Sequence, residues 1–435
     1  MKLRRFTVAL ALLALVAAVT TASSIARPTS ANRLAGLPNT CHTFGKGKYV
    51  IASDLPLQGS LRPLAVQIVA AIRLELKQMN FKIGDKTITY ASCDDSTAAK
   101  GSWDSQTCTN NASGYKTVKN FLGLIGTFNS GCAEIIAPVL NRAPGGGIAM
   151  VSPANTYVGL TKPTGVPGEP GKYFPSGKRN YARVAVPDNF QGAADATFLQ
   201  QKGIKSVYVL NDGEAYGSGI ANNFVNACKA LGITVLGNDK WDANQPDYQS
   251  LYQAVAAKNP QAVFLGGLIS LHGGQLIKDK VKVLGDNSKV LLLGPDGFND
   301  SATVTDAGAA AEGMYVTIGG QDPNALTNAN GKAFVAAYKK TYKVDHLEAY
   351  TAYGAQAFLV LANAITKSNG TRASITKGLY NQSFPKGIIG AFKIDNTGDP
   401  NLGGVTVDQY VGGQQKIITV INPPASLAIK ALGQG

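Results

Sequence analysis

Histidine and the sequence signatures of catalysis are scarce in this chain. Its 435 residues include only three histidines, His42, His272 and His346, and no two of them stand at metal-ligand spacing. The chain also lacks a nucleophile elbow, a Walker loop and a dinucleotide-binding fingerprint. The glycine run 145–147 predicts a flexible entry to a strand, not a phosphate cradle. These absences argue against an enzyme, a cofactor and a metal site.

Acidic residues are fewer than basic residues in this chain. There are 27 Asp and Glu against 41 Lys and Arg, which gives a net charge of +14. The basic residues are scattered, with no interleaved aromatic stripe and no nucleic-acid-binding module. We therefore attribute the charge to the general surface and expect no nucleic-acid partner.

Long apolar runs are absent except near the N-terminus. There a basic start precedes an apolar run from Phe6 to Val19, and small residues continue to Ala26. The run is shorter than the ~20 residues that span a bilayer. The pattern predicts a signal peptide over residues 1–26 rather than a membrane anchor, hence export to the periplasm or cell envelope. Because Cys41 comes well after this cut, we do not expect a lipoprotein.

Cysteine is limited to five residues, Cys41, Cys93, Cys108, Cys132 and Cys228. In an oxidising compartment some of them should pair. Cys93 and Cys108 bracket a short polar segment that a disulfide would staple, and Cys93–Cys132 is the competing pair. Cys228 lies in an apolar helical pattern, which predicts a buried free thiol.

The rest of the chain alternates short apolar runs with amphipathic stretches. A first series extends from about Tyr49 to Val151 and a second from about Asn189 to Leu293. This alternation predicts parallel sheets covered by helices on both faces. The segment 162–180, rich in Pro and Gly, predicts a surface loop between the two series. The length suits two domains of ~200 residues, so the late elements after Tyr315 should return to these two.

Six short segments stand in a consistent order and spacing: Ser53–Gly59, Gly126–Gly131, Met150–Thr156, Asn211–Gly217, Gly294–Gly297 and Ala311–Val316. They resemble the opening turn, the glycine/serine loop, the "SPAAT" motif, the "YG" loop, the "GPEG"-like turn and the return crossing of the type I periplasmic solute-binding proteins. The similarity is specifically to the branched-chain amino acid (Leu/Ile/Val) binding family of ABC transporters. It covers roughly residues 48–422, and although each motif is weak, their shared order is specific.

The resemblance implies two doubly wound α/β lobes joined by three hinge strands, with a ligand trapped between them. The predicted bounds are 1–26 for the signal peptide, 48–184 with 319–386 for lobe 1, and 187–315 with 392–422 for lobe 2. The crossings are expected near Val184–Pro187, Tyr315–Ile318 and Gly387–Phe392. Doubly wound sheets also bind ligands in loops beyond the carboxyl ends of their strands, where the six motifs lie.

The resemblance further implies a monomeric receptor that delivers an amino acid or a related small polar molecule to ABC permease subunits. Two alternatives stay open. One is a ligand-sensing module of the same fold, and the other is a binder of an amide, urea or an aromatic acid.

An amino acid carboxylate needs hydrogen-bond donors. Ser130 offers a hydroxyl just ahead of a predicted helix, whose N-terminal N–H groups suit an anion, and Thr156 offers a hydroxyl and an N–H from the opposite loop. The predicted ligand-binding set also includes Asn129 in the same loop. The alternative is that Ser130 and Thr156 only cap helices or turns.

The ammonium and the side chain need other partners. Asp296 is the predicted acid for the ammonium, with the carbonyl of Ala154 beside it, although Pro-Asp-Gly is also an ordinary turn sequence. Tyr216 is the predicted lid over the ligand. Leu64 and Leu268 stand where the family often places tyrosines, which makes an apolar ligand such as leucine or an aromatic acid plausible.

Overall fold

The computed structural model describes residues 34–433, and the predicted signal peptide lies outside the described residues. Among those residues, no helix combines the length and apolar character that a membrane crossing requires. The described part contains two seven-stranded sheets with helices packed around them.

The first sheet has the strand order β1-β4-β2-β7-β8-β9, with β3 paired to β4. In this order, β4, β2, β7, β8 and β9 pair in parallel, whereas β1 and β3 run antiparallel to β4. The strands are β1 (Cys41–Phe44), β2 (Tyr49–Leu55), β3 (Lys82–Ile83), β4 (Lys86–Asp94), β7 (Phe121–Gly126), β8 (Ala149–Ser152) and β9 (Tyr181–Arg183), with a separate ribbon of β5 (Ser96–Thr97) and β6 (Ser102–Trp103). The helices among them are α1 (Arg62–Gln78), α2 (Ser105–Thr117) and α3 (Ser130–Asn141).

The second sheet has the order β11-β10-β12-β13-β14-β17-β18. Its first five strands are parallel, and β17 and β18 close it as an antiparallel hairpin. The strands are β10 (Ser206–Asn211), β11 (Thr234–Lys240), β12 (Ala262–Gly266), β13 (Leu291–Gly294), β14 (Tyr315–Gly319), β17 (Val405–Val411) and β18 (Gln414–Ile421), and β15 (Ser383–Gly387) pairs only with β16 (Gly390–Lys393). The later helices are α4 (Asp188–Gln201), α5 (Ala215–Ala230), α6 (Gln249–Ala256), α7 (Gly273–Leu284), α8 (Ser301–Ala307), α9 (Ala329–Tyr342), α10 (Thr351–Lys367), α11 (Arg372–Lys377) and α12 (Ala425–Ala431).

Apolar patterning explains these elements. Strands β7 and β12 are buried along their whole length, as expected for parallel strands with helices on both faces. In α1, Leu64, Ile68 and Ile72 recur at helical spacing and are fully buried on one face. The prediction of α/β lobes built on two parallel sheets is confirmed.

Helices from late in the chain return to the first sheet. The hydroxyl of Tyr338 on α9 donates to the carbonyl of Gln67 on α1 at 3.1 Å, and Thr351 at the start of α10 donates to the side chain of Gln67 at 2.9 Å. By contrast, α12 packs on the second sheet's helices, where Asn189 and Asn223 donate to its carbonyls.

The segment Gly387–Phe392, predicted as the third crossing, does not join the two sheets. That segment belongs to the β15–β16 hairpin, where the Ile388 amide donates to Gln356 on α10 at 2.7 Å. The chain then returns to the edge of the first sheet, because the Arg183 amide donates to the carbonyl of Gly398 at 2.9 Å. It joins the second sheet only at Val405.

Both predicted disulfide pairings are wrong. Cys41 pairs with Cys93, which lies directly opposite it in the β1–β4 ladder, and Cys108 on α2 pairs with Cys132 on α3. Cys93–Cys108 and Cys93–Cys132 fail because the sequence pattern showed neither β1 nor α2. Cys228 is a buried free thiol, as predicted. Among the described residues, one group of potential metal ligands lies close together, Asp95 with Cys108 and Cys132, but the disulfide removes the thiolates a metal would need.

Part of the segment 162–180, which was predicted to be a surface loop, is buried. Tyr173 and Phe174 are buried, and the carboxylate of Glu169 accepts hydrogen bonds from the hydroxyls of Tyr173 and Tyr157 at 2.8 Å and 3.1 Å. The loop is therefore fixed to the residues that follow β8.

Candidate functional site

Five loops that follow parallel strands enclose one small cavity. Two come from the first sheet, after β7 and β8, and three from the second sheet, after β10, β12 and β13. The cavity volume is about 10 Å³, which is about the space that one water molecule needs. The residues that line it are Phe128, Asn129, Ser130, Ala154, Thr156, Glu214, Tyr216, Leu268 and Asp296. This is the place where doubly wound sheets bind ligands.

Seven of the eight residues predicted from the sequence lie around this cavity. The exception is Leu64, which is not among the lining residues. It opens the apolar face of α1 and is fully buried in the hydrophobic core. The expectation that Leu64 faces the ligand is therefore wrong, because the helix periodicity that buries Ile68 and Ile72 also turns Leu64 into the core.

The wall from the first sheet is the N-terminus of α3. Asn129 is its N-cap residue and Ser130 its first residue, and no side chain caps the helix. The hydroxyl of Ser130 accepts a long hydrogen bond from the Tyr157 amide at 3.4 Å and can still donate. The N-terminal N–H groups and the positive end of the helix dipole thus border the cavity, which suits a negatively charged group.

Asn129 is the least satisfied side chain of this wall. It is 4% exposed, and neither its carbonyl oxygen nor its amide nitrogen has a hydrogen-bond partner. Asparagine at an N-cap ordinarily accepts from its own helix, but here the side chain does not. Buried polar groups are nearly always paired, so a guest in the cavity is the natural partner.

The opposite wall carries a buried carboxylate. The Oδ1 atom of Asp296 accepts from the hydroxyl of Tyr216 at 2.6 Å, and Oδ2 accepts from the hydroxyl of Tyr350 at 2.9 Å. Burial raises the pKa of Asp296, while the hydrogen bonds from the two tyrosines act in the opposite direction. A cationic group beside Asp296 would favour its ionised form.

Further acids stand behind this wall. Asp188 and Asp195 on α4 are fully buried, and burial together with the charge of Asp296 raises the pKa of each well above its usual value. The Asp188 amide donates to the carbonyl of Thr156 at 3.0 Å, which places α4 next to the cavity. Since no Lys, Arg or His lines the cavity, its electrostatic character favours a cationic group.

Segments that belong to the two sheets contact each other beside the cavity. The indole Nε1 of Trp103 donates to Oε2 of Glu214 at 2.8 Å. Ser60 donates to Asp306 at 2.7 Å, and the hydroxyls of Ser102 and Ser270 lie 3.1 Å apart.

Four residues at this site were missed by the sequence reasoning, and one of them, Phe128, lies inside the motif Gly126–Gly131. Tyr350 and Trp103 come from segments with no motif, and only packing brings them here. Glu214 follows β10 within the motif 211–217, so its position after a parallel strand was a usable signal.

Comparison with known proteins gives one consistent result. Residues 49–411 match the family model described as periplasmic binding protein. The leucine-specific-binding protein of Salmonella typhimurium is 28% identical over 273 residues, which cover 62% of this chain and 67% of that protein. The crystal structure of a leucine binding protein, LivK, from Thermotoga maritima covers 86% of this chain and 99% of its own, with a TM-score of 0.74 and 24% identity.

A second solved structure shares the fold with a different ligand. The solute binding protein of an ABC transporter from R. palustris, in complex with benzoate, has a TM-score of 0.70 and 20% identity. It covers 86% of this chain and 96% of its own. At such identity the likeness shows the fold alone.

Proposed function

Because the chain belongs to the periplasmic binding protein family, in the type I group that includes the Leu/Ile/Val-binding proteins, we propose that it traps an amino acid between its lobes for an ABC importer. The family consists of solute-binding proteins, and the chain is not an enzyme. The observation that carries the proposal is a cavity between the loops of the two sheets, with a helix N-terminus on one wall and a buried carboxylate on the other. These are the complements of a carboxylate and an ammonium.

The carboxylate would bind at the α3 wall. The hydroxyls of Ser130 and Thr156 would donate to it, together with N–H groups at the start of the helix. Hydrogen bonds to an ionised group are short and strong, and the helix dipole adds to them. Burying a carboxylate elsewhere in this cavity would leave it facing acids.

The ammonium would bind at the Asp296 wall. Asp296 and the carbonyl of Ala154 would accept from it, while Tyr216 and Tyr350 hold the carboxylate in place. An aromatic acid has no group to neutralise Asp296, which favours an amino acid over that alternative.

Closure would couple binding to delivery. We propose hinges near residues 184–187, 319–320 and 400–405. The second lies just after the predicted Tyr315–Ile318, because that segment pairs within the second sheet as part of β14. The closed form, with contacts such as Trp103–Glu214, would dock on permease subunits. We place the protein outside the cytoplasm as a monomer that is not a lipoprotein, and its two disulfides fit an oxidising compartment. A sensing role would instead require a signalling partner for the same closed form.

A thermal-shift screen of the protein without residues 1–26 tests the proposal. We expect at least one amino acid to raise the melting temperature, because a ligand at 100 times its Kd adds about 2.7 kcal/mol to the native state. Amides, urea and benzoate should have smaller effects. If benzoate or urea stabilised the protein and no amino acid did, the amino acid assignment would be wrong.

Ser130→Ala should weaken binding of the amino acid found in that screen by about 1–3 kcal/mol, the cost of one hydrogen bond to a charged group. Isothermal calorimetry measures the change. Ser218→Ala is a matched control, since this serine lies on α5 and does not line the cavity. Equal affinity of Ser130→Ala and the unsubstituted protein would return Ser130 to a purely structural role.

A further inference from the structure

We infer that the ligand carries N–H donors in addition to its α-ammonium, in the form of a side-chain amide or a cationic nitrogen group. The inference rests on the proposed function and narrows it. It makes an amino acid with a polar, nitrogen-bearing side chain the preferred ligand over leucine, isoleucine or valine.

Asn129 provides the first observation. Its amide is buried against the cavity and makes no hydrogen bond to any described residue, even though it occupies an N-cap position. Exchanging the amide's oxygen and nitrogen does not change this result, since both atoms lack a partner. The nitrogen can donate to the α-carboxylate held at α3, but the oxygen still needs a donor. An aliphatic side chain supplies no donor and would leave the buried carbonyl unpaired.

Glu214 provides the second observation. It lines the same cavity, and one of its oxygens accepts from the indole of Trp103. With Asp296 it brings the carboxyl groups in the wall to two, while the lining contains no basic side chain. Asp296 would be engaged by the α-ammonium, and the α-carboxylate would be engaged at α3. The carboxyl of Glu214 and the carbonyl of Asn129 then remain as acceptors.

Charge balance leads to the same conclusion. A zwitterion is neutral, so once its own carboxylate is held by neutral donors it compensates Asp296 alone, and the positive charge that acts on Glu214 is Lys100, which lies outside the cavity lining. A further N–H group could donate to the carboxyl of Glu214 and to the carbonyl of Asn129. A cationic nitrogen would also neutralise Glu214, whereas an amide would satisfy hydrogen bonding alone.

Calorimetry with four amino acids of similar length tests the inference: leucine, norleucine, glutamine and ornithine. We expect glutamine or ornithine to bind at least 10-fold more tightly than both apolar amino acids. Asn129→Leu should reduce that preference at least 10-fold. Glu214→Gln should weaken ornithine at least 10-fold and change glutamine less, which separates the cationic form from the amide form. Asp345→Ala, an exposed acid remote from the cavity lining, is the control and should change no affinity.

Two failures are distinguishable. If leucine or norleucine binds at least as tightly as the polar pair, or if Asn129→Leu leaves the preference unchanged in a protein that melts normally, the inference is overturned and the amino acid receptor stands. If none of the four, nor any other amino acid, binds, the proposed function fails and the inference fails with it.

Discussion

Asp296→Ala is expected to reduce the affinity for an amino acid by about 30-fold to several thousand-fold, because removing one partner of a buried ion pair costs about 2–5 kcal/mol. The carboxylate is 4% exposed and is oriented by the hydroxyls of Tyr216 and Tyr350. Without it, the ligand's ammonium would be buried against those two hydroxyls and the carbonyl of Ala154. Calorimetry with the amino acid identified in the thermal-shift screen measures the loss.

Asp296→Asn separates charge from shape. It keeps the size of the side chain and should lose nearly as much affinity as the alanine variant, whereas Asp345→Ala should lose none. Since burial raises the pKa of Asp296, affinity of the unsubstituted protein should rise with pH until this group is ionised and then level off. Asp296→Asn should lack that rise. Unchanged affinity in both Asp296 variants would assign the Pro-Asp-Gly sequence to turn chemistry alone.

Much of the fold could be predicted because its strands are buried on both faces. Parallel strands such as β7 and β12 appear in the sequence as short apolar runs, and α1 as a stripe at helical spacing. Strand β1 was missed because it is four residues long and its sequence, CHTF, has no alternation. Helix α2 was missed because its sequence is almost entirely polar, although Asp104 caps it by accepting from the Thr107 amide at 2.9 Å.

The disulfide errors follow from these two omissions. Cys41 faces Cys93 only because β1 pairs with β4 in register, and Cys108 reaches Cys132 only because α2 packs beside α3. Spacing along the chain carries no information on either relation. Pairing in a protein of this size depends on tertiary structure that a local pattern does not contain.

The residues of the candidate site also divide into those that sequence reasoning found and those that it missed. Loop residues such as Ser130, Thr156 and Asp296 were found because they stand in motifs that resemble those of the binding-protein family and follow strands whose carboxyl ends meet at one edge. Tyr350 and Trp103 were not found because each comes from a helix start or a short ribbon and contacts a lining residue, Asp296 or Glu214, only through packing. Leu64 was misassigned because alignment with a family position says nothing about which way a helical side chain points.

The other large effect concerns a residue outside the cavity. Arg183→Ala should lower the free energy of unfolding by about 3–5 kcal/mol, because it leaves the buried carboxylate of Asp399 without its main partner. Arg183 is fully buried, its Nε donates to Asp399 at 2.8 Å, and its Nη1 donates to the carbonyl of Tyr157 at 2.7 Å. The charges of Arg183 and Lys162 outweigh burial and lower the pKa of Asp399, so the carboxylate remains ionised.

The comparison of Arg183→Ala with Lys162→Ala tests this role by denaturant and thermal unfolding. Lys162 pairs with the same carboxylate at 2.9 Å but is 34% exposed, so its loss should cost at most about 1 kcal/mol. Arg183 also holds the loop that carries Thr156, since its Nη2 donates to Thr161 at 2.7 Å. Ligand affinity should therefore fall in Arg183→Ala and stay unchanged in Lys162→Ala. If both variants unfolded at the same denaturant concentration, the Arg183–Asp399 pair would not be the contact that joins residues 155–161 to the segment around Asp399. The rigidity of this cavity wall would then have another source.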